Sequence, residues 1–429
     1  MNKNIKLAVA GAVLALSATA NAGIIIPAGD WTLDINGNVN AFANYTRVDS
    51  ASGTRGTGDG SDSLLLATAQ NTGNNGNKAL GINTGLLPSW LGFTGTTRQN
   101  DVDVSFTISM QPNVSDNTLA GDNNTPLWRQ TFMTFGDKSW GSIKLGKDIG
   151  IFASDAILND MTLLGVGAGA TGSGYGANAA GGASGQPTTL GGIGTGYIYA
   201  AWKGQVAYTT PNMNGFQATV GITNPNQGHG TGNQDRYGFE GKASYSFAAN
   251  DVTGKVWVSG ASYDVDTKAS TTYALSSTDG SATTYTTTTV LANNYTASVA
   301  DIGANLNVAG FGLTGYYYSG KGVGSTLLGL DAVAADGSRR DSDGGYVQAT
   351  YVLPIKTKIG AAYGISKLDM AGGDTSGLLK ENERYTIGAY HPLTKHLNLV
   401  AEYNNVQSQD HGNYKAENKT YSAGAILFF

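Results

Sequence analysis

The side chains best placed to act on another molecule are charged ones gathered around one long connection. Lys144, Lys147 and Asp148 come just before it or open it, Asp155 and Asp160 lie within it, and Lys203 follows it. Opposed ammonium and carboxylate groups can set a field across a narrow space and sort solutes by charge and size. Bond-making chemistry has less support. His229, His391, His396 and His411 are scattered over loops and turns, with no spacing that suggests a metal site or a general base. The chain has no cysteine, which removes disulfides and thiolate–metal sites. The glycines of 165–196 invite a phosphate-loop reading, but no lysine and no amphipathic helix follows them, so a flexible connection is preferred. Asp59, Asp62 and Asp122 sit in polar loops, where solvation is a better account than a cation site. No nucleophile, base and carboxylate fall together. Neither enzyme activity nor a cofactor is expected.

The elements that must position these charges are strands. Leu33, Ile35, Val39, Ala41, Ala43 and Tyr45 alternate with Asp34, Asn36, Asn38, Asn40 and Asn44, with Phe42 as the exception. Val102, Val104, Phe106, Ile108 and Met110 alternate with Asp103, Ser105, Thr107, Ser109 and Gln111 without a fault. Such segments suit a transmembrane strand of about 9–11 residues with one lipid-facing and one water-facing side. The same template along the chain predicts sixteen strands, at 31–45, 89–98, 101–111, 129–136, 140–147, 203–210, 215–223, 236–247, 252–264, 295–308, 311–319, 344–353, 356–368, 383–391, 397–407 and 420–429. Their connections alternate between tight ones, such as Gln99-Asn100 and Ala309-Gly310, and long ones, such as 46–88, 148–202 and 265–294. Segregated loop lengths imply an all-β, 16-stranded antiparallel transmembrane β-barrel, with short periplasmic turns and long extracellular loops. In hydrocarbon every backbone N–H and C=O needs a partner, so the sheet must close on itself.

Composition and termini agree. Charged residues make up 13% and glycine accounts for 62 of 429 residues, against roughly 25% and about 7% in ordinary soluble proteins. No basic block exists, which argues against a nucleic-acid partner. Lys3 and Lys6, the apolar run Leu7–Leu16 and Ala20-Asn21-Ala22 predict a signal peptide over 1–22 and a mature barrel over 23–429. Losing the two lysines takes the formal net charge from −5 to −7.

Three runs then resemble the trimeric Gram-negative (proteobacterial) general-diffusion outer-membrane porins. They are Ser89–Gly95, Phe135-Gly136 with Trp140–Lys147, and Val206–Pro211 followed by Gly215-Phe216. The resemblance implies a water-filled channel for passive diffusion of small hydrophilic solutes and ions, a homotrimer, and an outer-membrane location among lipid. It also implies that loop 148–202 folds inward as the constriction, although the Pro-Glu-Phe-Gly-Gly tip of the enteric branch is absent. Lys144, Lys147 and Lys203 on the wall would then face Asp155 and Asp160 on the loop. Alternation also places Arg98, Arg236 and Lys242 in the lumen, and Arg129, sharing parity with Met133 and Phe135, on the outer face in a subunit contact. Phe429, with Tyr421 on the same face, resembles the signal read by the barrel-assembly machinery. The net charge of −7 favours cations slightly, but only the constriction decides. Alternatives are a substrate-specific channel, favoured by inner aromatics such as Tyr316, Tyr318 and Trp257, and a barrel-anchored adhesin or receptor.

Overall fold

The computed structural model describes residues 23–49, 52, 65–67, 78–112, 127–168, 188–225, 236–267, 270–276, 284–290, 293–326, 328–334 and 336–429. The expected leader 1–22, the carboxylates Asp59, Asp62 and Asp122, and His229 lie outside the described residues. In chain order the strands are β1 (Ile24–Ala28), β2 (Trp31–Val48), β3 (Lys78–Asn83), β4 (Trp90–Gln99), β5 (Val102–Gln111), β6 (Leu127–Asp137) and β7 (Gly141–Ile149). A short helix α1 (Ser154–Asn159) and a 3-10 turn (Met161–Leu164) come next. They are followed by β8 (Trp202–Thr209), β9 (Phe216–Thr223), β10 (Gly238–Ala249), β11 (Val252–Thr267), β12 (Ser270–Ser276), β13 (Thr284–Val290) and β14 (Asn293–Val308). The last six are β15 (Phe311–Lys321), β16 (Asp341–Val352), β17 (Lys358–Leu368), β18 (Leu379–Pro392), β19 (Leu397–Asp410) and β20 (Lys415–Phe428).

Sixteen of these make a closed antiparallel barrel. The ring runs β2, β4 to β11, then β14 to β20, and β20 closes on β2 from Asn38↔Phe428 to Val48↔Asn418. Every expected strand is present. Tight turns follow from residues that accept a left-handed backbone: Asn100 and Asp101 (φ 50° and 62°) join β4 to β5, and Ala309 and Gly310 (φ 48° and 85°) join β14 to β15. Two such residues in succession match the right-handed twist of the flanking strands.

Four strands were not foreseen. β1 is the apolar run Ile24-Ile25-Ile26-Pro27-Ala28, which shows no alternation; it pairs with residues 31–35 of β2, below the point where β20 takes over that edge. β3 pairs with Phe42–Arg47 of β2 and continues the line of β4 upward after a break at Thr84–Ser89. β12 and β13 form a hairpin inside loop 265–294, outside the barrel wall.

Among the described residues no helix is long and apolar enough to cross a membrane, so crossing falls to the strands. Their outer faces carry Val220, Phe239, Ile302, Leu313, Val347 and Ile387, all well exposed, as a lipid-facing band requires. Trp140 stands on that face at the turn rim, where its carbonyl accepts from Tyr208 OH at 2.7 Å. Trp90, at the start of β4, turns inward instead, with its ring 6.2 Å from Phe428 and its Nε1 3.4 Å from Asn36 Oδ1. The Phe42 exception also has a cause. It is 1% exposed on the inner face, packed with Met161 and Val166 of the inward loop and with Val400.

Candidate pore constriction

The connection between β7 and β8 folds into the barrel, and the wall strands supply partners for its irregular backbone. Glu240 Oε2 on β10 accepts from Ile151 N (2.6 Å) and Phe152 N (2.8 Å). Ser259 Oγ on β11 accepts from Ala153 N at 3.2 Å. On β16, Tyr346 OH donates to Ala156 O (2.8 Å), while Gln348 accepts from Met161 N (2.8 Å) and donates to Asn159 O (2.7 Å). Glu402 Oε2 on β19 accepts from Val166 N (3.0 Å) and Gly167 N (2.8 Å). The returning arm is held by Ser366 Oγ on β17, which accepts from Gly196 N at 2.9 Å. A buried backbone needs this accounting, since each unpaired N–H would carry a desolvation cost. One glycine is dictated by the approach: a Cβ on Gly165 would stand 1.8 Å from Glu402 Oε1.

The charges form three buried groups. Asp155 is bridged by Lys242 Nζ at 3.1 Å and by Lys255 Nζ on its other oxygen. Burial pushes the Asp155 carboxyl up, but the two ammonium groups more than offset this and hold it below the usual aspartate range. Lys203 Nζ lies 2.7 Å from Glu240 Oε1, which Tyr263 OH also contacts. Asp160 Oδ2 accepts from Tyr197 OH at 2.9 Å and lies 3.5 Å from Arg384 Nη2, while Oδ1 caps the 3-10 turn through Thr162 N at 2.9 Å. Burial and the adjacent Asp160 raise the Tyr197 phenol well above its ordinary range, so it stays a donor. Beside these, Lys144 contacts Asp148, which also accepts from Gln130 Nε2 at 3.1 Å.

The expected residues are therefore placed unequally. Asp155 and Lys242 meet directly. Lys144 faces inward with Asp148. Lys203 is 2% exposed and reaches Glu240 rather than open lumen. Lys147 stands apart, its Nζ donating to Trp128 O at 2.8 Å. Arg98 is inward at the turn rim, pairing with Asp103 (2.8 Å) and Asp137 (2.9 Å). Arg236 is a correction: it precedes β10 on the loop rim and pairs at 3.0 Å with Asp264, which shares the outward side of β11 with exposed Ser262. Arg129 is a second correction. The register slips between Ser109↔Gln130 and Met110↔Trp128, so Arg129 is the extra residue of a bulge and joins Gln130 on the buried face. Unforeseen participants are Lys255, Glu240, Glu402 and Arg384. Their strand parity puts all four inside, but parity says nothing of height along the barrel.

On the outer face, midway along β20, Tyr421 packs against Tyr403 (5.2 Å) and Tyr45 (6.4 Å). Phe429 exchanges backbone bonds with Gly37 at 2.8 and 3.1 Å. Trp257, Tyr316 and Tyr318 are buried under the inward loop rather than set along open water.

Residues 7–411 match the sequence pattern of the Gram-negative porin family. The chain belongs to that family. It is an outer-membrane porin whose barrel encloses a water-filled channel for passive diffusion. Solved structures agree on the fold. The outer-membrane channel DcaP of Acinetobacter baumannii is 16% identical, with 94% of this chain and 99% of that one covered at a TM-score of 0.61. The anion-selective porin of Comamonas acidovorans is 14% identical, with 93% and 100% covered and a TM-score of 0.59. OmpF of Salmonella typhi, in complex with daunomycin, is 14% identical, with 95% and 100% covered and a TM-score of 0.55. No curated protein matches the porin by sequence.

Proposed function

We propose that this porin is a general-diffusion channel narrowed by loop 148–202, and that its constriction favours small anions. One observation carries the preference: where the charges around Asp155 and Asp148 reach water, it is the ammonium that does so and not the carboxylate, while the Lys203–Glu240 and Arg384–Asp160 pairs are buried on both sides. Side-chain exposures are 22% and 31% for Lys242 and Lys255 against 6% for Asp155, and 24% for Lys144 against 1% for Asp148. A passing ion therefore meets lysines first, with the acids screened behind them. This reverses the lean toward cations drawn from net charge, which counts loop, rim and lumen alike. The anion-selective Comamonas porin is a compatible precedent for the fold. The measurement is the reversal potential of purified channels in a salt gradient across a planar bilayer. A potential on the cation side would reject the preference, and absence of any conductance would reject the channel.

The further parts of the reading concern assembly. Export through a cleaved leader at 1–22, recognition of Tyr421 and Phe429 by the barrel-assembly machinery, and a homotrimer in outer-membrane lipid complete it. One solved neighbour, OmpT of Vibrio cholerae, is described in a trimer form. An exposed apolar outer surface with Leu80, Ile82, Ile387 and Tyr421 around β2, β3 and β17–β20 supports a subunit contact. Conductance that closes in thirds would bear this out.

A further inference from the structure

Strand β17 gives a scale of height through the lumen, because its even-numbered residues face inward. Near its outer end Ser366 Oγ accepts from Gly196 N at 2.9 Å. Gly364, the next inner position, lies so close to Thr195 that a Cβ there would meet its carbonyl oxygen. Ala362 then packs with Met161 of the inward loop, and a Cβ on Gly360 would stand 3.0 Å from the Met161 sulfur. The loop therefore covers this strand from Ser366 down to Gly360. The next inner residue is Lys358, the first of the strand, beside the short turn that follows β16. It is half-buried where Ala362 and Ser366 are buried. Lys358 thus lies on the turn side of the constriction, which in this fold is periplasmic.

Its ammonium stands 5.1 Å from the centre of the Tyr390 ring, and among the described residues it makes no hydrogen bond and no ion pair. Cation–ring attraction holds the side chain while leaving its N–H donors and its charge free to act on the lumen. Tyr390 is itself fixed, being buried with its hydroxyl donated to Glu402 at 2.7 Å. The carboxylates of Glu402 and Asp160, on the same side of the lumen, are both buried and turned to partners on the loop and wall. Neither pairs with Lys358. Of these three charges, it is the ammonium that is open to water.

We propose that Lys358 is a specificity-determining residue of the channel, a second station where anions that have passed Lys144, Lys242 and Lys255 are drawn toward the turn-side exit. This deepens the anion preference of the constriction and rests on it. An ion must be able to leave a charged constriction as well as enter it, and a weaker site just beyond eases departure. At physiological salt the Debye length is about 8 Å, so one ammonium acts on ions across a narrowed lumen but little farther. Lys358 therefore adds to charge selectivity and leaves the size limit to the loop.

The chain has no cysteine, so Lys358→Cys carries a unique thiol. The readout is the reversal potential in a salt gradient, with channels of known orientation in a planar bilayer. Lys358→Cys should move it toward cations relative to the wild type. A methanethiosulfonate reagent bearing an ammonium should move it back, and one bearing a sulfonate should carry it further toward cations. Both should react several-fold faster from the turn side than from the loop side, because the inward loop stands between. Lys358→Gln repeats the loss of charge should the cysteine variant fail to assemble. A reversal potential unmoved by either reagent, with the thiol shown by mass to be modified, overturns the proposal. So does a thiol that neither reagent reaches, or one reached as fast from the loop side. A cation-selective wild type would reject the preference on which the proposal rests, while the span between the two reagents would still decide whether Lys358 faces the permeation path.

Discussion

Glu240 on β10 and Glu402 on β19 do the same mechanical work at opposite sides of the lumen. Each accepts two successive backbone N–H groups from the inward loop, Ile151 and Phe152 at one side and Val166 and Gly167 at the other. Each also takes a tyrosine hydroxyl, Tyr263 or Tyr390. Their company otherwise differs. Glu240 sits 2.7 Å from the Lys203 ammonium, whereas Glu402 has Asn404 Nδ2 at 3.1 Å and, among the described residues, no cation within ion-pair reach. One anchor is a buried ion pair and the other is a carboxylate solvated by neutral dipoles. The difference teaches that charge is essential at the first site, and at the second only acceptor geometry is.

Substitutions that remove charge but keep shape should separate the two most widely. Glu240→Gln strands the Lys203 ammonium in the interior, and Lys203→Met strands the Glu240 carboxylate. Either should cost about 3–5 kcal/mol of stability, as breaking one half of a buried pair commonly does. Glu402→Gln keeps an acceptor for the loop and should cost far less. Denaturant unfolding of the detergent-solubilised porin reads both, and equal losses at 240 and 402 would dissolve the distinction.

Removing the acceptor altogether should expose what the second anchor contributes. Glu402→Leu leaves the Val166 and Gly167 N–H groups unpaired, at about 1–3 kcal/mol for a buried group. The effect should be local: faster amide exchange at 165–168 with 151–153 still protected, and noisier single-channel current. If exchange accelerates along the whole loop, the two anchors are one cooperative unit.

How much of this was legible beforehand depends on the kind of information each feature carries. Alternation between apolar and polar residues is local, so the sixteen strands and the inward face of Lys242, Glu240 and Glu402 could all be read from it. It fails where the period breaks. The bulge at Arg129 adds one residue and reverses its face, and no turn residue or glycine marks the spot. It is silent on height, which decided that Lys203 meets Glu240 and that Asp155 meets Lys255. β3 went unnoticed because Gly81 and Asn83 interrupt its pattern of Leu80 and Ile82, while β1 is apolar on both faces. Phe42 was visible as an anomaly, and its meaning required the loop that covers it.

The exposed ends of the ion pairs give a smaller effect, read as selectivity rather than stability. Lys144→Glu and Lys255→Glu should each move the reversal potential toward cations, and Asp155→Asn should move it toward anions by leaving Lys242 and Lys255 without their shared carboxylate. Partial screening by water and salt limits all three to modest shifts. A Lys255→Glu channel with unchanged selectivity would remove Lys255 from the permeation path.

Acidification tests the same triad most gently. Two ammonium groups hold the Asp155 carboxyl below the ordinary aspartate range of about 3.9. Its folded-state value being depressed, the stabilisation from its ion pairs is complete above the unfolded value. It is lost only as pH falls through the lower, folded one. Asp155 should therefore remain ionised while exposed carboxylates in the ordinary range take up protons. Reversal potential measured against pH should drift first through the ordinary carboxylate range, in wild type and Asp155→Asn alike. A second step toward anions should appear below that range in the wild type alone, where protonation of Asp155 releases both lysines. The difference between the two curves isolates this residue from every other acid in the channel. A wild-type-specific step at or above the ordinary aspartate range would mean that burial outweighs Lys242 and Lys255, and that the lysines stand farther from the carboxylate than a bridged triad requires.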